Sequence, residues 1–151
     1  MKMQNAKNKT AKSALTLERI LDAAAESFSK EGYQNTKLTK VAADSGLSRA
    51  GLYKYFSTKE SLLLALHGRM VHETVARANS ILGNDAPALV VIENWLRDVL
   101  CNEKIRRDVR TLTLNDVQAE LVLDQEATPN ALKKVRLALV RVIKRGIQEG
   151  D

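Results

Sequence analysis

From Leu17 onward, the apolar positions Leu17, Ile20, Leu21, Ala24 and Phe28 return at helical spacing, so one face of a first helix is apolar. Thr16 as N-cap and Gly32 at the far end bound it. After the polar turn Tyr33-Gln34-Asn35, the residues Leu38, Val41 and Ala42 predict a short second helix, ended by Gly46. Ser48 caps a third, from Arg49 to about Tyr55. A fourth starts near Ser57 or Thr58 and runs to about Leu82 through Leu62, Leu66, Met70 and Val75. Ser57-x-x-Glu60 forms a complete capping box; with Thr58 as the cap the box is only partial, because Ser61 stands where Glu or Gln is wanted. Gly83-Asn84-Asp85 is a break. Pro87 then fits the first turn of a fifth helix, to about Asn102, carrying Ile92, Leu96, Val99 and Leu100. A sixth runs from about Lys104 to near Gln118 through Leu112, Leu114 and Val117. Thr128-Pro129 opens a seventh, with Leu132, Val135, Leu139, Val142, Ile143 and Ile147 on its apolar side. No segment shows sustained β-branched alternation. The fold class is all-α.

Charge adds an asymmetry. The net charge is +6 over 151 residues. Residues 1–60 hold 11 Lys and Arg against 6 Asp and Glu, so +5, and the remainder holds only +1. The excess points to a polyanion partner for the N-terminal part, or to a solvated basic face. Residues 1–14 are polar, lysine-rich and without periodicity, and are expected to be a disordered basic arm. Its lysines Lys2, Lys7, Lys9 and Lys12 either follow a minor groove or remain free. No apolar run approaches the ~20 residues that span a bilayer. The start lacks the apolar stretch of a secretory signal. The single cysteine, Cys101, rules out an internal disulfide and fits a reducing cytoplasm.

Aromatic placement sharpens the picture. The chain has one Trp, three Tyr and two Phe, yet three of these six fall in GLSRAGLYKYFSTKESL, residues 46–62, beside Arg49, Lys54 and Lys59. The second helix, a tight turn at Gly46 and the third helix have the proportions of a helix-turn-helix, in which the third helix can enter a major groove. Phe56 and Tyr55 are expected to pack inward and pin a helix too short to be stable alone. Tyr53 is expected to point outward.

The pattern Arg19-Ile20-Leu21-x-Ala23-Ala24 with Phe28 and Gly32 continues through Thr36, Val41-Ala42, Gly46-Leu47-Ser48, Leu52-Tyr53-x-Tyr55-Phe56 and Lys59-Glu60-x-Leu62. It resembles the DNA-binding domain of the TetR family of bacterial repressors. Beyond it, the resemblance is one of helical pattern only. It implies a three-helix DNA-binding domain over residues 15–60 and a helical regulatory domain over 61–151. It also implies roles that the chemistry supports. Ser48 caps the recognition helix and donates to a phosphate. Arg49 reads a base edge, since guanidinium matches guanine O6 and N7. Lys54 reaches base or backbone, and Tyr53 offers its hydroxyl to a phosphate. Lys59, at the start of helix four, makes a second backbone contact. Lys37 and Thr39 clamp the opposite strand. Ala50 and Gly51 stand where the family carries Gly and a hydroxyl residue. Both are small enough for close groove approach, and Gly51 is kept as a weak contact.

Other chemistry is not indicated. His67 and His72 lie about 140° apart around one helix and do not converge on a metal. No phosphate loop follows a strand, and no nucleophile has a spaced base and acid. The expectation is no enzyme, no metal and no cofactor. The resemblance implies a homodimer, double-stranded operator DNA and a small-molecule ligand in the second domain, with Trp95 and Leu112 as candidate pocket residues. Gly146-x-x-x-Gly150-Asp151 resembles the family's turn after helix seven. Two further helices usually follow it and form the dimer interface, so this regulatory domain reads as incomplete and helix seven as exposed and sticky. Two other readings stand beside a ligand-responsive repressor. One is a fragment that acts by pairing with a full-length relative. The other is a helical interaction module without DNA binding.

Overall fold

The computed structural model describes residues 2–103 and 127–150. Among these residues there are six helices and no strand: α1 (Lys2–Glu31), α2 (Leu38–Asp44), α3 (Arg49–Tyr53), α4 (Lys59–Leu82), α5 (Ala88–Cys101) and α6 (Ala127–Glu149). The helix expected from Lys104, with Leu112, lies outside the described residues. The chain divides into two compact units at Leu66/His67, so α4 starts in the first and ends in the second.

The first unit buries Ile20, Leu21, Ala24, Ala25 and Phe28 of α1, Val41 and Ala42 of α2, Leu52 of α3, Phe56, and Leu62, Leu63 and Leu66 of α4. These are the residues the 3.6-residue period selects. Two expectations change. The 1–14 segment is not a disordered arm: α1 continues back to Lys2. Thr16 is accordingly not an N-cap. Its hydroxyl donates to the Lys12 carbonyl at 2.8 Å, the back-bond of a residue inside a helix. No Pro or Gly interrupts residues 2–14, so nothing local ends the helix there.

The α1–α2 connection is tightly bonded. Gly32 adopts φ +78°, and its N–H donates to the Phe28 carbonyl at 3.1 Å. The Thr36 hydroxyl donates back to the Gly32 carbonyl at 2.8 Å. Tyr33 is buried and its ring lies 5.4 Å from that of Phe28.

In the second unit, Ala78 and Leu82 of α4, Ala88 and Val91 of α5 and Val142 of α6 form one core cluster. Arg145 of α6 holds the α4–α5 turn, donating to the carbonyls of Asn84 at 3.1 Å and Ala86 at 2.7 Å. Pro87 sits at the N-cap of α5 rather than inside its first turn. α6 starts at Ala127, just before the expected Thr128 cap, and ends where Gly150 takes φ +80° and bonds back to Gly146 at 3.0 Å. Leu137, Val140, Ile143 and Ile147 are exposed along it, while Val142 is buried.

Candidate nucleic-acid interface

The turn between α2 and α3 is built by its backbone. The Gly46 N–H donates to Ala43 at 2.9 Å and the Leu47 N–H to Ala42 at 2.8 Å. This is the paired 5→2 and 6→1 closure of a Schellman motif. Gly46 takes φ +70°, the left-handed region open to glycine at little cost. A guanidinium supports the turn from outside it: Arg19 Nη2 of α1 donates to the Ser45 carbonyl. A Cβ on Gly46 would lie 2.5 Å from that nitrogen. Sequence reasoning gave Arg19 no such task, and no local signal in 26 residues of separation announces it.

From this turn the chain enters α3. Ser48 is extended, with φ −71° and ψ 159°, and its Oγ accepts the Gly51 N–H at 3.0 Å. The expected cap is present. Because Oγ accepts in this bond, its own O–H remains available to donate outward. Leu52 is fully buried, which fixes the roll of the helix. Arg49, Tyr53 and Lys54 are exposed, and the Arg49 guanidinium lies 5.4 Å from the centre of the Tyr53 ring. That cation–π contact restrains a long side chain before any ligand arrives. Lys37, at the N-cap of α2, and Thr39 are exposed as well. Lys40 on the same helix is answered by Asp44 at 2.6 Å and Glu31 at 3.5 Å.

Gly51 is half-buried. A Cβ there would meet Ser48 Oγ at 3.3 Å and Leu47 Cβ at 3.6 Å. The glycine therefore keeps space beside the cap. Tyr55 departs from expectation: it is 36% exposed, close to Tyr53 at 41%, whereas Phe56 is buried as foreseen. The five-residue α3 is anchored by Leu52 and Phe56 without it.

The start of α4 differs most from the sequence reading. Thr58, not Ser57, is the cap: its Oγ1 accepts the Ser61 N–H at 3.1 Å. Ser61 reciprocates, its Oγ accepting the Thr58 N–H at 3.3 Å. A serine thus closes the box that was expected to need Glu or Gln. Glu60, freed from that task, accepts the Tyr33 hydroxyl at 3.0 Å. Its carboxyl is held below the usual carboxylate range, first by its backbone hydrogen bond and then by the Tyr33 and Thr58 bonds. Burial, then the bond to Glu60, pushes the Tyr33 hydroxyl up. Lys59 does not face outward as a free cation. Its Nζ donates to the carbonyls of Tyr33 at 2.6 Å, Gln34 at 3.0 Å and Thr36 at 3.2 Å.

The chemistry of the face follows. Arg49, Tyr53 and Lys54, the Ser48 hydroxyl, and Lys37 with Thr39 supply cationic and hydroxyl donors on two short helices joined by a glycine turn. Such a set suits phosphate and base-edge recognition. No cluster of His, Cys, Asp and Glu suited to a metal occurs among the described residues. No described helix is long and apolar enough to cross a membrane.

Of the two candidate pocket residues, Trp95 alone falls among the described residues. Leu112 lies outside the described residues. Trp95 is partly buried against the second core cluster. A cavity of about 250 Å³ in the same unit is lined by Asn79, Leu82, Gly83, Ala138, Arg141, Val142 and Arg145, and not by Trp95.

Comparison with known proteins bears on this face directly. Residues 20–66 match the family described as bacterial regulatory proteins, tetR family. The chain is 26% identical over 137 residues to a fatty acid metabolism regulator protein of Bacillus subtilis, covering 87% of this chain and 68% of that protein. The chain thus spans about two thirds of that relative's length. Among solved structures, a TetR family transcription regulator from Marinobacter aquaeolei superimposes with a TM-score of 0.69 at 20% identity, covering 93% of this chain and 73% of the other. The transcriptional regulator FadR of Bacillus subtilis, solved in complex with stearoyl-CoA, gives 0.56 at 22% identity, covering 88% and 72%. At these identities the two structures establish the fold.

Proposed function

Starting from a chain that belongs to the TetR family of bacterial regulatory proteins and is a DNA-binding transcriptional regulator, we propose that it acts as a ligand-responsive repressor. It binds a two-fold operator as a homodimer, in the cytoplasm, through α3 and the start of α2. One observation carries the reading. Ser48 caps α3 while Arg49, Tyr53 and Lys54 stand exposed on it, with Arg49 already held against the Tyr53 ring. Arg49 reads a base edge. Lys54, Lys37, Thr39 and the hydroxyls of Ser48 and Tyr53 grip the backbone. Gly51 lets the groove approach closely.

One reading head gives weak, salt-sensitive binding, and a dimer doubles its contacts on half-sites ~34 Å apart or a multiple of that. The test is selection of an operator from random duplexes, followed by footprinting. Arg49→Ala is expected to flatten preference at one base pair per half-site, a loss of about 1–3 kcal/mol of discrimination. If the parent chain selects no sequence even at low salt, the reading fails and an interaction module without DNA binding takes its place. Light scattering at micromolar concentration tests the dimer. The expected mass is twice the 16.7 kDa of one chain. A stable monomer would restrict the chain to the role of a single head that pairs with a longer relative.

The ligand is a small molecule that shifts the dimer's fit to DNA. Because the Bacillus subtilis structure holds stearoyl-CoA, a long-chain acyl-CoA is the first compound to test. Release of the operator by it, and not by free CoA, is the expected result.

A further inference from the structure

α2 ends without a free cation of its own. Its last turn holds no basic residue and closes on Asp44, so the negative end of the helix dipole meets a carboxylate. Lys40, one turn back, is bonded to that carboxylate at 2.6 Å. The turn satisfies most of the terminal carbonyls itself. The N–H groups of Ser45, Gly46 and Leu47 donate to Val41, Ala43 and Ala42 at 3.0, 2.9 and 2.8 Å, and the Ser45 hydroxyl donates to Ala42 at 3.0 Å. The Ser45 carbonyl is taken from outside, by Nη2 of Arg19 on α1. Ser45 is buried, where a carbonyl left without a donor is costly. The same nitrogen stands against Gly46, 2.5 Å from where a Cβ would be. Ile20 and Leu21, next to Arg19 in the chain, are buried and tie this stretch of α1 to the core. The turn into α3 is thus held from a fixed point on another helix.

We propose that Arg19 is a positioning residue, whose guanidinium grips the Ser45 carbonyl, gives the C-terminus of α2 the cation that helix lacks, and so fixes the direction in which the chain enters the DNA-reading helix α3. A guanidinium suits the task, since a cationic donor both bonds a terminal carbonyl and complements the helix dipole. Ser48, the cap of α3, and Arg49 follow Ser45 by three and four residues. A shift at this carbonyl therefore reaches the reading side chain with little chain between to absorb it. In this role Arg19 acts through Arg49 and not on DNA.

The consequence for DNA rests on the reading of α3 as the recognition helix; the hold on the turn does not. The hold is tested by amide hydrogen exchange on the full chain. In Arg19→Met, the Gly46 and Leu47 amides are expected to exchange about tenfold faster than in the parent, because a charge-assisted bond is lost from the turn. The amides of Phe28 and Leu63, buried in α1 and α4, are expected to keep their rates. Arg19→Lys keeps a cation and a donor, and is expected to restore most of the protection. Unchanged rates at Gly46 and Leu47 would overturn the hold. Equal acceleration at all four amides, or a variant that does not fold, would make Arg19 a residue of general stability and overturn it too.

The consequence is read by titrating DNA binding of the same variants across a range of salt. Arg19→Met is expected to narrow the ratio of operator to non-specific affinity roughly tenfold, the loss of one well-placed base contact. Its salt slope is expected to match the parent's, and Arg19→Lys to regain most of the ratio. A phosphate contact gives a different pattern, in which Arg19→Met weakens all sequences alike and lowers the salt slope by about one. That pattern would overturn the positioning role. So would an unchanged ratio in a variant whose turn amides have loosened. If the turn amides respond as expected but the parent selects no operator, the regulator reading falls and the hold on the turn stands.

Discussion

At the scale of single residues, three positions have consequences that follow from their surroundings. Gly46 combines a φ of +70° with an Arg19 nitrogen 2.5 Å from any added Cβ. Gly46→Ala is expected to destabilise the chain by about 1–2 kcal/mol from the left-handed backbone alone. It also displaces the guanidinium from the Ser45 carbonyl. Urea unfolding measures it, and Arg19→Met in the same background should remove the displacement component. Ser48 is simpler: loss of its cap in Ser48→Ala costs about 1 kcal/mol. His67 is buried, and burial holds its imidazole below the ordinary value. The folded chain takes up that proton at lower pH than the unfolded chain does. Between the two values the unfolded state binds more protons, so stability falls as pH drops below about 6.5. His67→Gln is therefore expected to show a shallower loss of urea midpoint between pH 7 and pH 5.5 than the parent. Parallel losses in the two proteins would mean that other groups govern that window.

At the scale of elements, the start of α4 separates two readings of the same letters. Thr58→Ala removes a hydroxyl that accepts the Ser61 N–H and is expected to cost about 1 kcal/mol. Ser57→Ala is expected to be nearly neutral. Thermal melts of the pair check this, and the reverse ranking would restore the Ser57–Glu60 box. The periodic faces of α2, α4, α5 and α6 were legible in the sequence because their apolar residues repeat locally, and Ser48 was legible because its acceptor role involves a neighbour three residues away. Thr58 was obscured because Ser57-x-x-Glu60 fits the rule better than the true cap does. What diverts Glu60 is Tyr33, 27 residues earlier, and no local rule contains it. Arg19 was missed for the same reason, and so were the carbonyl contacts of Lys59: the acceptors lie 23 to 26 residues away. Thr16 was misread because a threonine hydroxyl serves equally as a cap or as a back-bond inside a helix. Tyr55 was misplaced because two residues, Leu52 and Phe56, already suffice to seat α3.

At the scale of the whole molecule, the basic excess and the number of charges that face DNA are different quantities. Residues 1–60 carry 11 Lys and Arg. Arg19 and Lys59 are bonded to backbone carbonyls, and Lys30 and Lys40 are paired with acids. On the α2–α3 face, Lys37, Arg49 and Lys54 remain exposed. Three exposed cations per head, six per dimer, correspond to a log–log salt slope of about −5, and of about −7 where Lys59 exchanges a carbonyl for a phosphate. The remaining four basic residues, Lys2, Lys7, Lys9 and Lys12, lie on the N-terminal extension of α1. If that extension follows the phosphate backbone, the slope steepens by up to about one for each lysine engaged. Titration of operator binding from low to moderate salt, repeated on a chain with those four lysines changed to glutamine, therefore counts the contacts. A slope near −5 that the quadruple variant leaves unchanged places recognition on α2 and α3 alone. A slope well beyond it that collapses to about −5 in the variant makes the helical extension part of the DNA grip, and gives its lysine-rich sequence a function.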